Sequence, residues 1–475
     1  MTTECTTNFL NFKSFSGRKV AGVFDGVKVS SDGGILLLRE LEDRTGVIRR
    51  LAGCFRDFRM KSKVRHSVGS LVGQRVFGLA LGYEDLSDHD TLREDSLLGF
   101  AASEITEGRM KRMTGGLPRA LAGKSTLNRL ELTPADADGS DRSKKIAFNP
   151  DAADRLLTEV FMERFEEEPE WFVLDVDATD DPLHGNQEGA FYHGCYKHYC
   201  YLPLYIFADG FPLCARLRTS DKDPADGALE ELQRIIRQIR GKWKKAKILV
   251  RGDGGFCRDE IMSWCESERG IYYCFGFATN QRLLNGIASL METVSAKCAK
   301  TGKAQRRFAE LKYKTLKSWS RERRVVAKAE CLPGKQNPRF VVTSLPVREF
   351  PAKKLYEKVY CARGDMENRI KEQQLWLFAD RTSAETLHAN QMRLYFSTFA
   401  YLMLQIMRTE ALVGTELDNA QCGTIRTKLL KIGTLLKISC RRILISFAES
   451  FPHETLFRRI LAAIQQIPPP KPLAI

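Results

Sequence analysis

Apolar positions along this 475-residue chain change period as the chain proceeds. Up to about residue 165 they recur at helical spacing. His66 to Tyr83 carries such a repeat, and Ser125 before TLNRLEL reads as a cap and short helix. Asn149-Pro150 supplies the cap and first turn for PDAADRLLTEVFMERFEEE. From Trp171 strands alternate with helices: WFVLDVDA, then YLPLYIFADGFPLCARLR as two strands about Asp209-Gly210, then a helix over 224–240. KILV (247–250) is a short buried strand, FCRDEIMSWCES a helix and GIYYCFGFA another strand. This alternation predicts an α/β fold on a mixed sheet whose last strands are parallel and buried. It breaks over about 278–345 and resumes at PRFVVTSL. A long helical region follows over about 350–412, then a C-terminal helical unit ending in the loose tail IPPPKPLAI. The expected organisation is a mainly helical region over 1–165, a catalytic domain over 166–412 and a helical region over 413–475. The front end suits either DNA gripping or packing on the next domain.

Composition adds direction. Hydrophobic residues at 43% and charged residues at 28% are ordinary globular proportions and exclude a disordered chain. Lys plus Arg number 74 against 59 acidic residues, a net +15 that points to a polyanion such as nucleic acid. No membrane partner is expected: the longest apolar stretch, Leu394 to Met407, is 14 residues and includes Ser397, Thr398 and Gln405. A span needs roughly 20. No secretory signal opens the chain and its 13 cysteines are odd in number and scattered, so a reducing, cytoplasmic location follows. Lys303 to Lys328 holds ten basic residues with Phe308, Tyr313 and Trp319 interleaved. That suits a β-rich insertion over 278–337 lying along a phosphate backbone, its rings stacking on bases; a solvated basic face is the plainer alternative.

Carboxylates stand in three places where a metal site would want them. Asp175 and Asp177 are two apart on a strand and share a face. Asp253 leaves the KILV strand in RGDGGF, where it could equally stabilise a turn. Tyr360, Arg363, Glu367, Lys371 and Gln374 fall on one helical stripe, which an exposed, ion-paired face would also explain. Together, strand Asp, strand-end Asp and helix Glu form the ligand set of a two-metal phosphoryl-transfer site, taking two Mg²⁺ or Mn²⁺.

DVDATDDPLHGNQEG, RGDGGF and Y-x2-R-x3-E followed by NRIKE resemble the DDE transposases of bacterial insertion sequences, specifically the insertion-sequence 1380 family within the Y-R-E signature clade. The resemblance covers most of the chain, including FDGVKVSSDGGILLLREL. It implies an RNase H-like catalytic domain with a β-rich insertion before the Glu, flanked by helical regions. It also implies catalytic, metal-holding roles for Asp177, which precedes Ala178-Thr179, and for Asp253 and Glu367. Asp175 stays open as a further ligand. Tyr360 and Arg363 match the signature's phosphate-gripping pair. The family's next basic position falls on Gln374, and Lys371, one turn earlier, is the candidate to take its place.

The expected function is binding of the element's terminal inverted repeats, metal-dependent cleavage and strand transfer into target DNA. A homodimer is expected in the synaptic complex, in a bacterial cytoplasm and on the nucleoid when DNA-bound. The alternatives are a non-catalytic repressor that binds the ends and a metal-dependent, structure-selective nuclease. Other motifs point elsewhere only weakly. His193, Cys195, His198 and Cys200 lack a second ligand pair for zinc and read as strand residues. GGLPRALAGKST has Pro118 where a phosphate loop needs glycine, and Cys257, Cys265 and Cys274 read as small core residues.

Overall fold

The computed structural model of the protein describes residues 9–102, 120–439 and 442–469. Residues 1–8 and 470–475, and with them parts of the expected N-terminus and tail, lie outside these, as do Gly115 to Arg119 of the loop-like motif. Among the described residues, nine strands form one mixed sheet. The first five are β1 (Trp171–Ala178), β2 (Leu204–Ala208), β3 (Phe211–Arg216), β4 (Lys247–Gly252) and β5 (Ile271–Phe277). They lie in the order β3-β2-β1-β4-β5. The β3–β2 and β2–β1 pairs are antiparallel, and the β1–β4 and β4–β5 pairs are parallel. This order and these directions are the RNase H-like sheet. Asp209 and Gly210 make the tight β2–β3 turn, both at positive φ, 48° and 80°.

The basic region is not set apart from this sheet. Two helices, Gln281–Gly286 and Ala288–Thr301, precede β6 (Gln305–Tyr313), β7 (Arg323–Leu332) and β8 (Arg339–Thr343). These strands extend the sheet in the order β5-β8-β7-β6, all antiparallel. The expectation of stacking rings fails here. Trp319 and Tyr313 are only 4% and 9% exposed and pack on Phe277, with centroids 4.7 and 5.5 Å away, while Phe308 lies 5.6 Å from Tyr356. Several cations are internal as well. Arg323 bonds Asp259 and Glu266, Arg324 pairs with Glu310 and Lys328 with Glu330. Strand alternation turns half of these side chains onto covered faces, which charge counting along the sequence cannot show. Lys303, Arg307, Lys312 and Lys317 stay exposed with no acidic partner among the described residues.

Four helices position the site: α1 (Val68–Leu81), α2 (Pro150–Glu163), α3 (Gly364–Leu377) and α4 (Leu387–Glu410). Asn149 caps α2 as expected, its side chain accepting the Ala152 N–H. Gly123, not Ser125, precedes the helix Lys124–Glu131. The apolar stretch Leu394 to Met407 is the buried middle of α4, which packs against α1, β3 and α3. Tyr395 donates to Asp154 at 2.7 Å, and Arg75 and Arg393 share the buried Glu131 at 3.0 and 2.7 Å. Front-end helices and sheet thus contribute to one apolar core. No helix among the described residues is long and apolar enough to cross a membrane. The C-terminal region departs from an all-helical expectation: a hairpin, Thr434–Ile438 with Ile443–Phe447, stands before the last helix, Glu454–Gln466. A second hairpin, Leu10–Phe15 with Arg18–Gly22, opens the described chain.

Candidate active site

Strands β1 and β4 are parallel, with Asp175 opposite Arg251 and Val176 opposite Gly252. The next positions, Asp177 and Asp253, therefore lie side by side at the C-terminal ends of the two strands. Asp253 begins a single tight turn, Gly254–Phe256, and its carboxylate accepts the Gly255 N–H at 2.8 Å. Space is short around it. A Cβ on Gly252 would stand 3.2 Å from the Val176 carbonyl, and one on Gly276 would stand 2.6 Å from the Tyr360 hydroxyl and 3.0 Å from the Gly254 nitrogen. Gly276 was not among the candidates from sequence; its signal is a glycine inside an apolar strand, a mark of close backbone approach.

The third acid arrives on a bent helical segment. Leu355–Tyr360 forms a π-helical turn, Cys361–Arg363 a 3₁₀ turn, and α3 follows. Leu355 and Tyr356 pack against Leu249, Cys274, Val326 and Val341 on one face of the sheet, which seats the segment over the strand ends. Arg363 then reaches both strand and helix: Nη1 donates to Asp177 Oδ2 at 3.2 Å and Nη2 to Glu367 Oε1 at 2.5 Å. The π turn was not foreseen; such turns leave no mark in hydrophobic period and recur at functional sites.

Asp175 is held otherwise. Arg251 grips both its oxygens, at 2.5 and 2.7 Å, and also donates to the Val359 carbonyl. This bidentate pair is nearly buried, at 8% and 13% side-chain exposure. Gln374 donates to the Asp180 carbonyl and to Asp181 Oδ1, at 3.1 Å each, while Lys371 is exposed with no acidic partner among the described residues. Burial drives the Asp181 carboxyl far above its ordinary value.

Burial, opposed by Arg363 and reinforced by Asp253 and Glu367, pushes the Asp177 carboxyl up to about 7. That is the behaviour of an acid cluster short of positive charge. Among the described residues no three His, Cys, Asp or Glu side chains close around a common point. The Arg363 guanidinium stands between Asp177 and Glu367 instead. Carboxylates are the donor type that a hard divalent cation takes, but here Asp177 and Glu367 are bound to Arg363 and the three acids do not close on a common point.

The profile of the family described as "Transposase DDE domain group 1" matches residues 12–469. No curated protein matches the sequence. Among solved structures, the chain is similar to a piggyBac transposase in its synaptic complex with hairpin DNA. The identity is 10% and the TM-score 0.39, over 93% of this chain and 86% of that one.

Proposed function

This chain belongs to the DDE transposase domain family, and on that premise we propose that it binds the terminal inverted repeats of its own insertion sequence, cleaves them and joins the freed 3′ ends to target DNA. The single observation that carries the reading is the meeting of Asp177, Asp253 and the Arg363–Glu367 pair at the C-terminal edge of β1 and β4. In RNase H-like sheets this is where strand ends leave room for a substrate.

In this account Asp177, Asp253 and Glu367 hold two Mg²⁺ or Mn²⁺ ions. Cations so held would supply a Lewis acid to the scissile phosphate and lower the pKa of the attacking hydroxyl. The chain's residues do the positioning. The Gly255 N–H fixes the Asp253 carboxylate. Arg251 locks Asp175 and so holds β1 and β4 in register beneath the two acids. Arg363, whose planar fork suits phosphate as well as carboxylate, would exchange its carboxylate partners for a DNA phosphate, with Tyr360 beside it. Lys371, exposed on the same helical stripe with no acidic partner among the described residues, would take a neighbouring phosphate. Pairing of two element ends calls for two copies of the chain, and the bacterial, insertion-sequence 1380 assignment belongs to the same proposal.

Strand joining is the test that separates a transposase from a nuclease. A pre-cleaved element end with a free 3′-hydroxyl, taken from the DNA flanking the gene, is incubated with the protein, Mg²⁺ and a target plasmid. Covalent end–plasmid products are expected from wild type and none from Glu367→Gln; cutting without joining by wild type would leave only the nuclease.

A further inference from the structure

Between β1 and β2 the chain makes a short hairpin, Phe191–His193 paired with His198–Tyr201. Four of its rings face solvent: Phe191 is 43% exposed, Tyr192 58%, Tyr196 37% and Tyr199 54%. Folding alone gives no reason to leave so much aromatic surface in water. The hairpin is nonetheless firmly placed. His198 pairs with Asp180 at 2.8 Å, three residues beyond Asp177, and the Tyr201 hydroxyl donates to the Glu188 carbonyl at 2.5 Å. On one face Tyr192 and Tyr199 meet edge to face at 5.7 Å; on the other, Tyr196 lies 4.8 Å from His193 and 6.1 Å from His198. Tyr196 stacks on His198, whose ring holds Asp180, three residues beyond Asp177, so the turn that carries this ring lies on the acid-cluster side of the hairpin. Residues 191–200 contain no acid and include Lys197. Exposed rings and a cation on the hairpin itself suit an unpaired nucleic-acid strand, whose bases stack and whose backbone is negative.

We propose that this hairpin is a stacking platform for unpaired DNA bases next to the scissile phosphate, with Tyr196 taking the nucleotide nearest the acids and Tyr192 and Tyr199 those further out. This rests on the transposase reading for its substrate, but it is tested separately. The probe is a duplex oligonucleotide carrying a six-nucleotide unpaired dT arm, compared with a blunt duplex of the same sequence. A 2-aminopurine at the fork reports stacking by loss of fluorescence. Wild type is expected to bind the forked DNA more tightly and to quench the probe. Tyr196→Ala, and Tyr192→Ala with Tyr199→Ala, should each lose on the order of tenfold in forked-DNA affinity with blunt-duplex affinity kept. Tyr196→Phe, which keeps the ring, should retain both preference and quenching. These side chains are exposed, so an unchanged melting temperature confirms that the variants fold. Equal affinities for forked and blunt DNA in wild type, or a fork preference that survives all alanine variants, would overturn the platform. Strand joining with no fork preference contradicts this inference alone; fork preference without cleavage or joining contradicts the transposase reading alone.

Discussion

Asp175 and Asp177 share one strand face yet meet different partners, and the difference decides what each can do. Asp175 gives both oxygens to Arg251 in a nearly buried pair. Removing one partner leaves the other charge buried, so Arg251→Ala should cost about 3–5 kcal/mol of stability, read as a lower melting temperature. Asp177 is poised the other way. Its carboxyl titrates at about 7 in the folded protein, raised chiefly by burial, against roughly 4 in an unfolded chain. Its contribution to stability is therefore full below pH 4 and is lost as pH rises through 7. In chelator, Asp177→Asn should melt above wild type at pH 8, with the gap closing toward pH 4; a gap that widens toward acid would contradict the assignment. From sequence alone both aspartates were equal candidates by geometry, because the Arg251 grip depends on pairing between strands 76 residues apart.

At the scale of elements, what the sequence made legible is what local chemistry controls. The β2–β3 turn follows from Asp209-Gly210, where glycine supplies a positive φ, and the tight exit of β4 from RGDGG, where a Cβ on Gly252 would crowd the Val176 carbonyl. The π turn at Leu355–Tyr360 and the fit of Gly276 beneath Tyr360 were not legible, because each arises only when the helical segment settles on the sheet. The basic, aromatic stretch misled for the same reason: Trp319 and Tyr313 were exposed candidates in sequence and are core residues in the fold. Gly276→Ala tests the fit. A methyl 2.6 Å from the Tyr360 hydroxyl must displace that ring. DNA-end cleavage should fall by at least about tenfold, against a smaller loss of stability, 1–3 kcal/mol, typical of overpacking. Cleavage at the wild-type rate would remove Tyr360 from the site.

Across the whole molecule, a helical front end and an RNase H-like sheet share one apolar core through α4, so the N-terminal helices are held rigidly relative to the acids. Internal pairs such as Arg323 with Asp259 and Glu266 take some of the 74 basic side chains out of reach of a polyanion, so the net +15 must act through cations that remain exposed. Lys303, Arg307, Lys312 and Lys317, exposed with no acidic partner among the described residues, form one face open to DNA. Replacing all four with alanine should weaken binding at low salt and flatten its salt dependence; an unchanged slope of log affinity against log salt would exclude this face. Divalent cation should also act on the fold itself. Mg²⁺ at pH 8 should raise the melting temperature of wild type and leave Asp177→Asn unmoved, because a ligand that binds only the folded state stabilises it.

The most direct measurement uses a supercoiled plasmid bearing the DNA that flanks the gene, incubated with wild type and with Asp253→Asn in Mg²⁺ or Mn²⁺. The account predicts metal-dependent breaks at the element's ends with wild type, no breaks with Asp253→Asn, and comparable end binding by both. Equal cleavage by the two proteins, or tight binding by wild type with no break in either metal, would contradict it.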